Sequence, residues 1–319
     1  MATTRKEAAM PTVSVVIPVY NRMGLTRQCL DKLFSIGSTV CDFEVIVVDD
    51  GSRDSTQRLL ASYGDRLRVV SHASNKAFAT SCNDGAAIAC GEYLLFLNND
   101  TIPLQGWLDA LVRHARAHPR AGVVASKLLY PNGTIQHAGM AVCQDRHPRL
   151  IYVGFPADHP AVNKPRRMQL VSGACNLIPR AIFAQMGGFD AAYINGYEDV
   201  DLCMRFGEFG YEIHYCPQSV LFHMESVSEN RFKFEQHSAL LFRQRWGDRV
   251  HPDDLHYYIE DGLIHVDYYA NHINFNVSPL LGVIQPEDNF AEVNRVLELR
   301  AQQVYSLIRE NVILRATGN

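Results

Sequence analysis

The sequence has little that would place it in a membrane or on nucleic acid. No apolar run approaches the ~18 residues that a spanning helix requires. With 30 Lys and Arg against 34 Asp and Glu, the formal net charge is −4, which leaves no electrostatic footprint for nucleic acid. Arg5 and Lys6 are followed by no apolar stretch, so residues 1–10 are expected to form a loose tail and not a secretory signal. The eight cysteines include no CxxC pair, which removes the usual zinc and dithiol spacings. Cys82, Cys90 and Cys175 stand among apolar residues and read as reduced, buried small hydrophobes of a cytoplasmic protein. A GxGxxG turn is missing after the first predicted strand, and no GxxxxGK[ST] occurs. Those absences argue against a dinucleotide-dependent oxidoreductase and a P-loop nucleoside triphosphatase.

What is present suffices for a full core: 319 residues, 47% apolar and 20% charged. The chain is organised around Gly91-Glu92-Tyr93-Leu94-Leu95-Phe96-Leu97-Asn98-Asn99-Asp100-Thr101. The unbroken apolar run from Tyr93 to Leu97 predicts a strand buried on both faces of a parallel sheet. It runs straight into Asn98-Asn99-Asp100, and helical periodicity resumes at Trp107. A carboxylate at the carboxyl end of a central strand lies where open α/β sheets bind ligands. Flanked by amides, it suits a hard divalent cation shared with phosphate oxygens. A polar strand-to-helix turn is the plainer explanation of the same residues.

Before that stretch the pattern alternates. Strands are predicted over 13–20, 43–48 and 67–71, and helices over 25–36, around Leu59-Leu60 and over 80–90. The second strand ends in Asp49-Asp50-Gly51-Ser52. This is the order of a doubly wound α/β domain. Further strands follow over 123–130 and 171–179, separated by a Pro-rich, basic stretch (147–167) that reads as a long loop. A helix over 180–186 is closed by Gly187-Gly188. Glu198, Asp199 and Asp201 then occupy the positive end of another helix. Two short strands are expected within 211–222, followed by His223. Beyond Ser226 a helix over 238–246 and an apolar helical face from Val293 to Val312 mark a tail.

Taken in this order, these motifs resemble the inverting glycosyltransferases of family 2, including bacterial rhamnosyl- and polysaccharide transferases. The resemblance rests on Val15 to Asn21, Val47 to Ser52, Asn75 to Asn83, Gly91 to Asp100, Gly187 to Asp190, Glu198-Asp199 and His223, and covers roughly 11–225. It implies the GT-A fold, an α/β domain over 11–225 with a mostly parallel central sheet and helices on both faces. A mainly helical extension over 226–319 would follow. A nucleotide-sugar donor, UDP- or dTDP-linked, would lie against Pro18, Tyr20, Asn21, Lys76, Asn83, Asn98 and Asn99. Asp50, with Asp49 beside it, would read the base, since a carboxylate accepts the imide N–H of a pyrimidine. Asp100 and His223 would hold Mn²⁺ or Mg²⁺. Glu198 and Asp199 would form the acceptor pair, with Asp199 as general base.

The resemblance further implies transfer with inversion to a glycan, lipid-linked or protein hydroxyl in polysaccharide assembly, in the cytoplasm or at the inner membrane face. The C-terminal helices are candidates for homo-oligomer contacts. Arg166, Arg167 and Lys76 are candidates to meet the diphosphate, and His137 is either a pocket or a core residue. One departure matters. The family's DxD motif falls on Asn98-Asn99-Asp100, so the first carboxylate is lost and the cation site weakened. That loss keeps open a catalytically impaired sugar-binding module of the same fold. A sugar-1-phosphate nucleotidyltransferase is the other rival, but it needs a Gly-rich basic loop that Pro18 to Gly24 does not supply.

Overall fold

The computed structural model describes residues 11–224, 231–268 and 273–282. The tail over 1–10 and the apolar face from Val293 to Val312 lie outside the described residues.

The first half follows its apolar pattern closely. β1 (Val13–Val19), α1 (Met23–Ile36), β2 (Phe43–Asp49), α2 (Thr56–Ala61), β3 (Arg68–Ser71), α3 (Ala77–Ile88) and β4 (Tyr93–Leu97) succeed one another. They give the parallel order β3-β2-β1-β4. Successive side chains on a strand face opposite sides, and here they separate two cores. Val16, Ile46, Val48, Leu94 and Phe96 enter one, with α3. Val15, Ile17, Val45, Val47, Leu95 and Leu97 enter the other, against Leu30 and Leu33 of α1.

After β4 come β5 (Thr101–Pro103), α4 (Trp107–Ala117) and the nine-residue β6 (Ala121–Leu129). Short strands β7 (Ile135–His137), β8 (Met140–Val142), β9 (Pro148–Leu150) and β10 (Arg166–Met168) lead to β11 (Cys175–Pro179). α5 (Arg180–Gln185), α6 (Glu198–Glu208) and β12 (Glu212–His223) complete the sheet. Its order is β10-β12-β6-β11-β4-β1-β2-β3. β11 runs antiparallel to both β4 and β6, so beyond β4 the sheet is mixed. Antiparallel insertion of β11 needs no crossover helix between β4 and itself, which apolar patterning cannot reveal.

Three sequence expectations are corrected. The segment 211–222 forms one strand, with a bulge between Cys216 and Val220 where Pro217 has no N–H for the ladder. Cys90 is exposed. The Pro-rich stretch is also more ordered than a loop, since β9 pairs with β8 and β10 with β12.

The extension contains α7 (Arg231–Trp246), α8 (Asp254–Glu260) and a hairpin, β13 (Ile264–Tyr268) with β14 (Ile273–Val277). Phe242, Trp246, Leu255 and Tyr258 pack in the same core as Val200 and Phe206 of α6. Trp246 Nε1–H donates to Asp201 Oδ1 at 2.9 Å, joining α7 to α6. No described helix is long and apolar enough to cross a membrane.

Candidate active site

Three groups of polar side chains collect where β1, β2, β4 and β12 end. The first lies after β1 and β2. Asn21 and Arg22 hold positive φ (55° and 58°), turning the chain sharply after Tyr20. Asn21 Oδ1 accepts from Arg53 N–H at 2.7 Å, and Asn21 N–H donates to Ser52 Oγ at 2.8 Å, stitching the two loops together. Gly51 sits at φ +77°, and a Cβ there would lie 2.8 Å from the Ser74 backbone. Only glycine fits that turn.

The two carboxylates beside Gly51 differ. Asp50 Oδ1 accepts from Lys76 N–H at 2.8 Å and lies 2.7 Å from His72 Nδ1, whose Nε2 lies 2.9 Å from Asp84 Oδ2. Asp49 Oδ1 accepts from Ser52 N–H at 3.0 Å, while its buried Oδ2 has no partner among the described residues. An unmatched buried carboxylate oxygen costs free energy unless a ligand supplies the donor.

The second group is the turn Asn98–Asp100. Asn98 N–H donates to Ala174 O at 2.9 Å, and its side-chain Oδ1 is buried without a described partner. β5 pairs antiparallel with the end of β12, setting Thr101 opposite His223. That register brings His223 Nε2 to 3.1 Å from Asp100 Oδ1. The other ring nitrogen, Nδ1, lies 2.7 Å from Gln136 Oε1, which can only accept. Nδ1 therefore carries a proton, and Nε2 and the carboxylate face each other across a gap that a proton or a cation must fill. One carboxylate and one imidazole, with an amide oxygen nearby in sequence, fit a divalent cation completed by phosphate oxygens.

The third group opens α6. Tyr197, at φ 71°, precedes Glu198 and Asp199. Glu198 is buried, and its Oε2 accepts from Gly196 N–H at 2.6 Å. Asp199 is only partly buried. Its Oδ2 accepts from Gly173 N–H at 2.6 Å and its Oδ1 from Val200 N–H at 2.8 Å. A Cβ on Gly173 would come within 3.0 Å of the Asp199 Cβ. The residue before Gly173 is held by His137, whose Nε2 accepts from Ser172 N–H at 3.2 Å while Nδ1–H donates to Ser126 O at 2.9 Å. His137 is a core residue. Burial pushes its imidazole down to about 4.

Not every expected residue joins these groups. Asn83 spends both ends of its amide on the Phe189 backbone, at 2.8 and 2.9 Å. Asn99 Nδ2–H donates to Thr26 Oγ1 at 2.9 Å, toward α1. Arg166 is buried against Glu260 and Asp261, and Arg167 is exposed opposite His214, at the far end of β12 from His223, so neither joins these groups. Lys76 is half exposed, 3.5 Å from Asp84. Pro18 and the exposed Tyr20 stay at the rim of β1. Sequence reading missed His72, Asp84, Gln136 and Gly173. Of these only Gly173 carried a local signal, a glycine interrupting a strand-like run.

Residues 14–184 match the family described as Glycosyl transferase family 2. The chain is 34% identical over 226 residues to the O-antigen biosynthesis protein RfbC of Myxococcus xanthus, covering 68% of this chain and 18% of that one. It is 27% identical over 214 residues to the N-acetylglucosaminyl-diphospho-decaprenol L-rhamnosyltransferase of Mycobacterium tuberculosis, covering 59% and 68%. The chain spans less than a third of the length of the first relatives it matches. Among solved structures it resembles GalNAc-T7 with UDP, GalNAc and Mn²⁺, at a TM-score of 0.60 and 15% identity over 75% of this chain and 50% of that one. That likeness shows the GT-A fold.

Proposed function

Because the chain belongs to glycosyl transferase family 2, we propose that it transfers a sugar from a nucleotide-diphosphate donor to a hydroxyl acceptor with inversion. The carrying observation is the short link between the two halves of the site. Gly173 holds Asp199 through its N–H, and the next residue, Ala174, accepts from Asn98 of the Asp100 turn. A proton acceptor and a cation turn are thereby fixed to adjacent residues of one rigid segment, as a single displacement requires.

Asp49 is our choice of base reader, in place of Asp50. Its unmatched Oδ2 is an acceptor waiting for an imide N–H, whereas Asp50 already anchors His72 and Lys76. This favours a UDP- or dTDP-linked donor. The unpartnered Asn98 Oδ1 accepts a ribose hydroxyl in this reading. Asp100 and His223 would hold Mn²⁺ or Mg²⁺, which neutralises the leaving diphosphate when bound. Asp199 takes the acceptor proton as the hydroxyl attacks the anomeric carbon, and Glu198 fixes the loop before it. Asn99, the middle position of the motif, points to Thr26, so the carboxylate lost from the cation site is the one at Asn98. Polysaccharide assembly, with a lipid-linked or glycan acceptor, is the setting that the names of the relatives suggest, and a cytoplasmic location is part of this proposal.

A panel of nucleotide sugars, read by thermal shift and by release of free nucleotide, tests the proposal. One donor should both stabilise the chain and yield nucleotide diphosphate in the presence of Mn²⁺. Binding without release in every acceptor mixture would favour an inactive binding module and overturn the catalytic reading.

A further inference from the structure

At the opposite end of β12 from His223, three histidines converge. His114 and His118 lie one turn apart at the C-terminal end of α4, and His214 is the third residue of β12. One nitrogen from each ring lies within 4.8 Å of the others. His114 Nε2 and His214 Nδ1 are 2.9 Å apart, and the rings of His114 and His118 stack at 4.2 Å. Along β12 the cluster is nine residues from His223, roughly 25–30 Å at strand spacing.

Two of the three rings are oriented by outer partners. His214 Nε2–H donates to Glu212 Oε2 at 3.0 Å, which leaves Nδ1 as the lone-pair nitrogen facing His114. His118 Nδ1–H donates to His114 O at 2.8 Å, leaving Nε2 as its lone-pair nitrogen. A carboxylate or backbone carbonyl behind each ring is the arrangement that fixes tautomers around metal-bound histidines. Arg120 and Arg167 approach Glu212 through its other oxygen, Oε1, at 3.7 and 3.4 Å, and leave the His214 contact intact. The carbonyl end of α4 adds a negative dipole beside the cluster.

We propose that His114, His118 and His214 form a binding site for a zinc-type divalent transition ion, separate from the donor cation site. Imidazole ligands suit Zn²⁺, and tetrahedral sites place ligand nitrogens roughly 3.3 Å apart, from metal–nitrogen bonds of about 2.0–2.1 Å. The His114–His214 pair is already close to that spacing. His118 is exposed and ends its helix, so its ring can swing inward by the remaining distance. The fourth position is left to water. Such an ion would clamp the end of α4 to β12, two elements whose other ends reach the Asp100 turn and His223.

Co²⁺ titration of the full chain without a histidine tag, followed by Zn²⁺ displacement, tests the site. The parent should show one Co²⁺ with the intense visible bands of a four-coordinate nitrogen site, lost on adding Zn²⁺. His118→Ala changes an exposed side chain and should fold, yet weaken Co²⁺ binding at least tenfold and abolish the rise in Tm that Zn²⁺ gives the parent. His214→Gln should do the same. Binding at Asp100 and His223 is untouched by either variant, so it cannot mimic this difference. Parent spectra without such bands, or bands that survive in both variants, would overturn the assignment.

Discussion

Gln136 and His137 are neighbours on β7, and each holds a different half of the candidate site. Gln136 lies against His223 at 2.7 Å, while His137 accepts from Ser172 at 3.2 Å, one residue before the loop that holds Asp199. Side chains alternate along a strand, so one short buried segment serves both the cation side and the acceptor side.

Gln136→Leu should therefore act on the metal requirement. With no acceptor behind Nδ1, His223 loses its fixed tautomer, and the Mn²⁺ needed for half-maximal turnover should rise ~10–100-fold. Turnover at saturating Mn²⁺ should stay near parental. An unchanged Mn²⁺ dependence would show that His223 does not serve the cation.

His137 predicts acid sensitivity. Its folded pKa, about 4, lies below the ordinary value of 6.5 because of burial, so between these values the unfolded chain binds more protons. Stability is full above pH 6.5 and falls by about 3 kcal/mol as pH drops toward 4. His114, lowered to about 4 by burial and by its two histidine neighbours, acts in the same direction. Urea unfolding at several pH values should show this slope, and His137→Gln should flatten part of it while lowering stability at pH 7.

Asp49→Asn should separate the two adjacent carboxylates. The amide oxygen can still accept from Ser52, but the other arm becomes a donor and repels an imide N–H. Affinity for uridine nucleotides should fall by roughly 1.5–3 kcal/mol, while cytidine nucleotides lose less. Asp50→Asn should instead loosen the loop around Lys76 without changing base preference. If Asp50→Asn alone alters base preference, the assignments must be exchanged.

Asp199→Asn keeps the shape of the side chain and removes the base. Turnover should drop ~10²–10⁴-fold with donor Kd nearly unchanged. Product of retained anomeric configuration would exclude the single displacement that gives Asp199 its role.

Gly173→Ala tests the same contact sterically. A methyl there would meet Asp199 at 3.0 Å, so the carboxylate must shift. Near-attack geometry is intolerant of such shifts, and turnover should fall ~10-fold or more with little loss of stability. Parental turnover would mean that Gly173 does not position the base.

Much of this was legible in the residues. Unbroken apolar runs such as Tyr93 to Leu97 announce buried strands, and a polar turn at their carboxyl ends marks the site. What the chain could not announce were partners distant in sequence. Gln136 meets His223 across 87 positions, and the contact depends on the β5–β12 register. Side-chain direction was equally hidden, since Asn98 and Asn99 read alike, but the Asn99 amide is tied to Thr26 while Asn98 Oδ1 has no partner among the described residues. The antiparallel insertion of β11 was hidden for the same reason: buried strands of either direction show the same apolar run.

The Trp246–Asp201 bond has an optical consequence. The chain has only two tryptophans, and they pack in the two different cores, Trp107 in the one with α1 and Trp246 in the one with α3. Trp107 is buried at the start of α4, seven residues past Asp100, whereas Trp246 is tied to Asp201, two residues past Asp199. Each half of the site thus carries its own intrinsic fluorophore. Replacing one indole with Phe leaves emission from the other alone, so donor arrival and acceptor arrival can be timed separately in one chain without any attached dye.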